Sequence, residues 1–262
     1  MLHQRLDGAG QAGVPIVFSH ALGLDLGQWD GVVETFSSRH PILRYDQRGH
    51  GRSAPSASAF TMDDLVDDAV ALIEGWGRGP VVFVGLSMGG MVGQGLALRR
   101  PDLLRGLVLA HTVARYAPPA RAAWAQRIDT VRTQGMAAVA DMVVERYLNA
   151  NFRAAQPGVA HALRQQILAM DPVAYAQACA AVAGVDWLDR LPQIVTPTLV
   201  LAGAQDVGAT PEMARDISAR VPGASLEVFP AASHLSVFED PASFERALTD
   251  FLATLPTTSS SR

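Results

Sequence analysis

The protein has 262 residues, of which 49% are hydrophobic and 18% charged. This composition predicts one large folded core and is not typical of a disordered chain. All 21 basic residues are arginine and the net charge is -4. The absence of lysine excludes Schiff-base, pyridoxal phosphate and phosphate-loop chemistry, and the acidic balance makes nucleic acid an unexpected partner.

The N-terminal sequence does not have the pattern of a signal peptide, because no positively charged start is followed by an apolar stretch. No apolar run approaches the roughly 20 residues of a membrane span. We therefore expect a cytoplasmic protein with no membrane partner. Its single cysteine, Cys179, leaves no partner for a disulfide within the chain. The sequence does not determine the oligomeric state.

Short apolar runs that alternate with segments of helical period predict the fold. Six such runs predict buried strands at residues 14–20, 41–46, 80–87, 104–112, 196–206 and 225–230. Capping patterns predict helix starts at Thr61, Thr210 and Asp240. The alternation is typical of an α/β protein with a mostly parallel, doubly wound sheet.

One interval lacks any strand signal. Residues 117–190 are helical in pattern and are interrupted by Pro157, Gly158 and Pro172. An insertion of this length at the carboxyl edge of a parallel sheet would cover the place where ligands bind. We therefore predict an α/β core of residues 1–116 and 191–262 with a helical cap of residues 117–190. The tail, residues 257–262, is expected to be disordered.

The segment Gly85-Leu86-Ser87-Met88-Gly89 follows an apolar strand and opens a helix. In this context a G-x-S-x-G sequence predicts a sharp turn that exposes a nucleophilic serine, with glycines that let the two backbones approach. The alternative interpretation is a glycine-rich turn with an idle serine.

A serine nucleophile needs a base and a carboxylate that orients the base. Asp206 ends a predicted strand and His234 follows the next one, so the chain order is Ser87, Asp206, His234. Both residues could instead be structural. The other strand end at which a carboxylate could stand carries His111 and Thr112.

Two backbone N–H groups are needed to stabilise the oxyanion of such a reaction. Met88, next to the nucleophile, supplies one, and we assign the other to Leu22, with Ala21 as the alternative. His20 is expected to brace this loop, because His234 already occupies the position of the base.

No metal or cofactor is predicted from the chain. The seven histidines never fall at metal-ligand spacing. The segment from Asp46 to Ser53 lacks the lysine of a phosphate loop, and we interpret it as a tight turn that Asp46 and Arg48 hold in place.

These motifs resemble the α/β-hydrolase superfamily over residues 14–255, and within it the family of 3-oxoadipate enol-lactonases. The segments that carry this closer resemblance are residues 85–119 with Trp124, 127–147, 198–211 and 230–252. The resemblance also indicates a departure, because an N-terminal edge strand that is common in the superfamily is expected to be absent here.

The resemblance implies that Ser87 opens the ring of 3-oxoadipate enol-lactone through an acyl-enzyme and yields 3-oxoadipate. The substrate would be a small acidic lactone or ester, so the pocket should hold an arginine. Arg115 and Arg127 are the candidates, with Trp124 beside them. A solvated helix face for the arginines and plain packing for Trp124 are the alternatives.

Other functions fit the same motifs. A general carboxylesterase, a carbon-carbon bond hydrolase and a cofactor-free perhydrolase would share the catalytic residues. A small-ligand receptor with a hydrolase fold is the non-enzymatic alternative, and the intact Ser, Asp, His set argues against it. An aspartate-nucleophile enzyme is excluded because position 87 is serine.

Overall fold

The computed structural model describes residues 2–256, and within them a seven-stranded sheet forms the centre of the molecule. The strands are β1 (Gln4–Asp7), β2 (Ile16–Ser19), β3 (Ile42–Tyr45), β4 (Val81–Leu86), β5 (Leu104–Ala110), β6 (Thr198–Gly203) and β7 (Ser225–Phe229). Their order is β1-β3-β2-β4-β5-β6-β7. Strand β1 is antiparallel to β3 and every other neighbouring pair is parallel, which confirms the predicted mostly parallel α/β sheet.

Helices cover both faces of the sheet. Outside the interval between β5 and β6 they are α1 (Asp30–Phe36), α2 (Met62–Trp76), α3 (Met88–Arg99), α9 (Pro211–Arg220), α10 (Ser236–Glu239) and α11 (Pro241–Thr254). Neighbouring residues of β5 show the two faces, because Leu107 packs against Gly93 of α3 whereas Gly106 faces Phe251 of α11. Successive residues of a strand point to opposite faces, so α3 and α11 lie on opposite sides.

The predicted helix starts at Thr61, Thr210 and Asp240 are confirmed. Each of these side chains accepts a hydrogen bond from a backbone N–H in the first turn of its helix. Thr61 and Asp64 form a reciprocal capping box at the start of α2. These caps satisfy N–H groups that have no partner within the helix.

The expected absence of an N-terminal edge strand is wrong. Strand β1 pairs with β3 in antiparallel register, with Gln4 opposite Tyr45 and Asp7 opposite Ile42. The first three residues of β1 are exposed, so the strand lacks the buried pattern that marks the five inner strands. Its polar, short form suits a sheet edge, where it limits pairing with other chains.

The interval between β5 and β6 is helical, as the pattern predicted. It contains α4 (Pro118–Gln134), α5 (Ala140–Tyr147), α6 (Ala150–Ala155), α7 (Pro157–Leu168) and α8 (Pro172–Ala183). We refer to residues 117–190 as the cap segment. Within residues 2–256 no helix combines the length and the apolar character that crossing a membrane requires. The tail predicted to be disordered, residues 257–262, lies outside the described residues.

Candidate active site

The carboxyl ends of β2 and β4 lie side by side where the strand order reverses. From β2 the chain adds β3 on one side, and it then crosses back to add β4 on the other side. Loops that leave such a pair of strands diverge and form a crevice that favours ligand binding. The loop after β2 carries Leu22 and the turn after β4 carries Ser87, so both residues start at this crevice.

Ser87 occupies a strained turn between β4 and α3. Its φ is 56° and its ψ is -112°, a combination that residues other than glycine rarely adopt. A Cβ on Gly85 would lie 2.2 Å from the carbonyl oxygen of Gly89, and a Cβ on Gly89 would lie 2.1 Å from that of Ser19. The glycines are therefore required for the turn, which brings Ser87 to the N-terminus of α3, where developing negative charge is favoured.

Asp206 and His234 form a buried pair at the ends of β6 and β7. His234 Nδ1 lies 2.7 Å from Asp206 Oδ2. The other carboxylate oxygen, Oδ1, accepts hydrogen bonds from the backbone N–H groups of Gly208 and Ala209 at 2.8 and 2.9 Å. Burial alone would raise the pKa of Asp206, but the neighbouring imidazoles of His234 and His111 outweigh burial and lower it. Asp206 is therefore an anion that can orient the imidazole.

One cavity brings residues of the core and of the cap segment together. Ser87, His234 and Leu22 line it from the core. The remaining lining residues are Tyr116, Trp124, Arg127, Arg146, Tyr147, Val182 and Gly208. The serine and the histidine that are 147 positions apart in the sequence thus face the same small space.

The loop after β2 is held so that the Leu22 amide is the better candidate for the oxyanion site. The N–H of Ala21 is already used, because it donates to Gln28 Oε1 at 2.9 Å. The carbonyl of Leu22 accepts a hydrogen bond of 2.7 Å from the hydroxyl of Tyr147. Leu22 and Met88, the first residue of α3, therefore remain the candidate pair.

His20 has both ring nitrogens engaged with the backbone. Its Nδ1 lies 2.8 Å from the carbonyl oxygen of Ala21, and its Nε2 lies 2.9 Å from the amide nitrogen of Gln47. Burial lowers the pKa of His20, so the ring is neutral and accepts at Nε2 while it donates from Nδ1. These contacts support the bracing role expected for this residue.

Arg127 and Arg146 give the cavity its positive charge. Arg127 is stacked over Trp124, with 4.4 Å between the guanidinium carbon and the ring centre. A Cβ on Gly208 would lie 3.0 Å from a guanidinium nitrogen of Arg146, so this arginine lies against the loop that follows Asp206. Within residues 2–256 neither guanidinium forms a salt bridge with a carboxylate. Both remain available to an anionic ligand.

The structure does not bring Arg115 to the cavity. Its guanidinium is held at 2.5 Å by Asp186 and at 2.5 Å by Asp189. The two carboxylates already neutralise it, so we replace Arg115 with Arg146 as a candidate for substrate binding. Trp124 and Arg127, the other two predicted residues, line the cavity.

Sequence reasoning missed Arg146 and Tyr147, which are neighbours at the end of α5. The pattern of Val143, Val144 and Tyr147 places an apolar stripe on one face of this helix and could have indicated that Tyr147 is buried. It could not indicate that Tyr147 stacks on His234, with 4.9 Å between ring centres, because that contact joins distant segments.

The chain matches the model of the family described as "alpha/beta hydrolase fold" over residues 14–241. It is 32% identical over 240 residues to 3-oxoadipate enol-lactonase 2 of Acinetobacter baylyi, covering 91% of this chain and 89% of that protein.

Two solved structures share the fold closely. The enol-lactonase of Burkholderia xenovorans LB400 is 35% identical with a TM-score of 0.91, and the match covers 96% of each chain. A thermophilic esterase from Thermogutta terrifontis, solved with malate bound, is 30% identical with a TM-score of 0.90, covering 98% of this chain and 94% of that one. These similarities confirm the resemblance that the motifs indicated.

Proposed function

The chain belongs to the alpha/beta hydrolase fold family and is a hydrolase, and we propose that it opens the ring of a small anionic lactone through Ser87, His234 and Asp206. The observation that carries this proposal is the shared cavity. The strained serine and the histidine of the buried His234–Asp206 pair both line it, together with two arginines that have no salt bridge within residues 2–256.

The reaction would proceed in two steps. Ser87 attacks the lactone carbonyl carbon while His234 accepts its proton, and the backbone N–H groups of Leu22 and Met88 stabilise the oxyanion. The bond to the ring oxygen then breaks, and that oxygen takes the proton from His234 and stays attached to the acyl chain as an enol. Water next attacks the acyl-enzyme with His234 as base, which releases the acid and restores Ser87.

The cap segment would select the substrate. Arg127 and Arg146 supply the positive charge that a carboxylate on the lactone needs, and Trp124 offers an apolar surface for the ring. Relatives named as 3-oxoadipate enol-lactonase and enol-lactonase support 3-oxoadipate enol-lactone as the substrate. The esterase structure with malate supports a site of this fold that accepts a small carboxylate-bearing molecule.

Steady-state kinetics test the proposal. We expect kcat/KM on 3-oxoadipate enol-lactone to exceed that on neutral esters of similar size by about a hundredfold, since two unneutralised arginines favour the anion. Ser87→Ala should abolish both activities. Equal kcat/KM values on the anionic lactone and on neutral esters would instead indicate a general carboxylesterase. Binding without Ser87-dependent turnover of either substrate would indicate a receptor.

A further inference from the structure

Asp206 contacts a second imidazole besides that of His234. His111 follows the last residue of β5, is fully buried, and places its Nδ1 3.6 Å from Asp206 Oδ2. Its other nitrogen, Nε2, lies 2.7 Å from the hydroxyl oxygen of Ser236. The rings of His111 and His234 meet edge to face, with 6.0 Å between their centres. The mechanism proposed above makes no use of His111.

The backbone at His111, like that at the nucleophile, has a positive φ. Within residues 2–256, Ser87 and His111 are the two residues other than glycine that have a left-handed φ, at 56° and 47°. The N–H of His111 is tied to the carbonyl of Leu201 on β6 at 2.8 Å. Such strain persists where the surroundings fix it, and it is concentrated at functional sites. The backbone thus directs a bulky imidazole against Asp206.

The surroundings select one tautomer of His111. If Nδ1 were bare, its lone pair would face the anionic oxygen of Asp206, which is electrostatically unfavourable. With the proton on Nδ1, the N–H points towards the carboxylate, and the Ser236 hydroxyl donates to the bare Nε2. Within residues 2–256 the Nδ1 atom has no shorter polar contact, so the carboxylate is the acceptor that remains to it.

We propose that His111 is a positioning residue that acts on His234 through Asp206, with its Nδ1–H directed at Asp206 Oδ2 and its tautomer set by Ser236. This inference rests on the proposed roles of Ser87, His234 and Asp206. A donor on Oδ2 keeps the carboxylate facing the two imidazoles. It also limits the proton affinity of the carboxylate, and hence the strength with which Asp206 retains a proton on His234.

Burial favours a neutral His111. Burial lowers the pKa of His111, the nearby charge of His234 lowers it further, and Asp206 and Glu239 oppose this shift without reversing it. Glu239 is itself engaged by the backbone and hydroxyl of Ser233. The titratable and charged groups that face this region from the packed elements are Asp206, His234, Glu239, Tyr116, Tyr147 and Arg146.

The tautomer can be measured on the intact protein without any assay of activity. Long-range proton–nitrogen spectra of the ¹⁵N-labelled protein should show His111 protonated at Nδ1 and bare at Nε2. In Ser236→Ala this preference should weaken, because the hydroxyl donor to Nε2 is gone. Protonation of His111 at Nε2 alone in the wild-type protein would overturn the proposal, whatever the enzyme's substrate is.

The functional effect can be measured with a fluorophosphonate, which reports nucleophilicity without knowledge of the substrate. The probe forms a phosphorus–oxygen bond with Ser87, its fluoride leaves, and His234 takes the serine proton. His111→Leu removes the donor at similar volume, whereas His111→Asn retains an N–H near the position of Nδ1 and tolerates a left-handed φ. His40→Leu is the control, because His40 lies just before the amino end of β3 and the site lies at the carboxyl ends of the strands.

We expect His111→Leu to inactivate about tenfold more slowly and to show its acid-side pH midpoint at higher pH, because a more basic Asp206 retains the proton on His234. His111→Asn should recover most of the rate and return the midpoint to the wild-type value. A lower rate with an unchanged midpoint in His111→Leu, or no recovery in a folded His111→Asn, would overturn the proposal. Wild-type protein that fails to react, or Ser87→Ala that still reacts, would instead refute the proposed function.

Discussion

The hydroxyl of Tyr147 offers the sharpest test of how the cap segment supports the chemistry of the core. Tyr147 ends α5, donates a 2.7 Å hydrogen bond to the carbonyl of Leu22 and stacks on His234. Its own carbonyl accepts from the Leu235 N–H at 3.2 Å and from the Ser233 hydroxyl at 3.1 Å. Tyr147→Phe removes the hydroxyl and leaves the ring and the backbone contacts in place.

The expected magnitude follows from the loss of that one hydrogen bond. The Leu22 carbonyl is buried, and a buried acceptor that loses its partner costs about 1 to 3 kcal/mol. We expect the loop to shift towards another partner, and such a shift would turn the Leu22 N–H away from the proposed position of the oxyanion. If the cost falls on the transition state, kcat falls about fivefold to a hundredfold while KM changes little.

The assay is the pair of steady-state constants for Tyr147→Phe on the anionic lactone and on a neutral ester. Tyr175→Phe is the matched control, since it deletes a buried tyrosine hydroxyl that has no hydrogen-bond partner within residues 2–256. We expect a lower kcat for Tyr147→Phe on both substrates and near wild-type constants for Tyr175→Phe. A Tyr147→Phe variant with unchanged kcat, or with a loss confined to KM, would refute the role assigned to the hydroxyl.

Three further changes test the charge, the turn and the pH dependence. Arg146→Met should raise KM for the anionic lactone about tenfold and leave KM for neutral esters unchanged. Arg132 is exposed on α4, so Arg132→Met should change neither KM value. Equal effects of Arg146→Met on both substrates would contradict the role of Arg146 in binding the substrate's carboxylate. Gly89→Ala should lower the free energy of unfolding, measured in urea, by about 3 kcal/mol or more, because the new Cβ would lie 2.1 Å from the carbonyl oxygen of Ser19. A decrease below about 1 kcal/mol would show that the turn can relax. Burial lowers the pKa of His50 from 6.5 to about 3. The unfolded state therefore takes up a proton at higher pH than the folded state does, and the free energy of unfolding decreases as pH falls below 6.5. His50→Asn should therefore reduce that loss by about 1.4 kcal/mol per pH unit between pH 6 and pH 4, and parallel stability curves for the two proteins would contradict this.

The sequence predicts the inner sheet and the nucleophile turn well because their signals are local. A short, mainly apolar run marks each buried parallel strand, and the glycines at positions 85 and 89 mark the turn at Ser87. Strand β1 was missed because its formation depends on pairing with β3, about 40 positions away, and not on burial of its own residues. Edge strands of this kind lack the pattern on which the prediction depends.

The same distinction explains the outcome for the arginines. Nothing in the local sequence separates Arg115 from Arg146, since each arginine directly precedes a tyrosine. The difference is tertiary, because Arg115 meets Asp186 and Asp189 from more than 70 positions away while Arg146 meets the loop after Asp206. The spacing of residues along the chain does not show which arginines are neutralised by carboxylates from distant segments. The sequence alone therefore could not identify the arginines of the site.

Core and cap residues should affect different kinetic constants. An arginine that binds a carboxylate does so equally in the ground state and in the transition state, so the cap's charges should set KM and leave kcat nearly unchanged. The proposed oxyanion donors at Leu22 and Met88 would act on charge that develops only during the reaction, so changes there should lower kcat. Tyr147 lies in the cap segment, but its hydrogen bond to the Leu22 carbonyl means that a change at its hydroxyl should lower kcat. A cap taken from a relative with another substrate would therefore have to retain this hydroxyl, because otherwise the exchange would alter turnover together with selectivity.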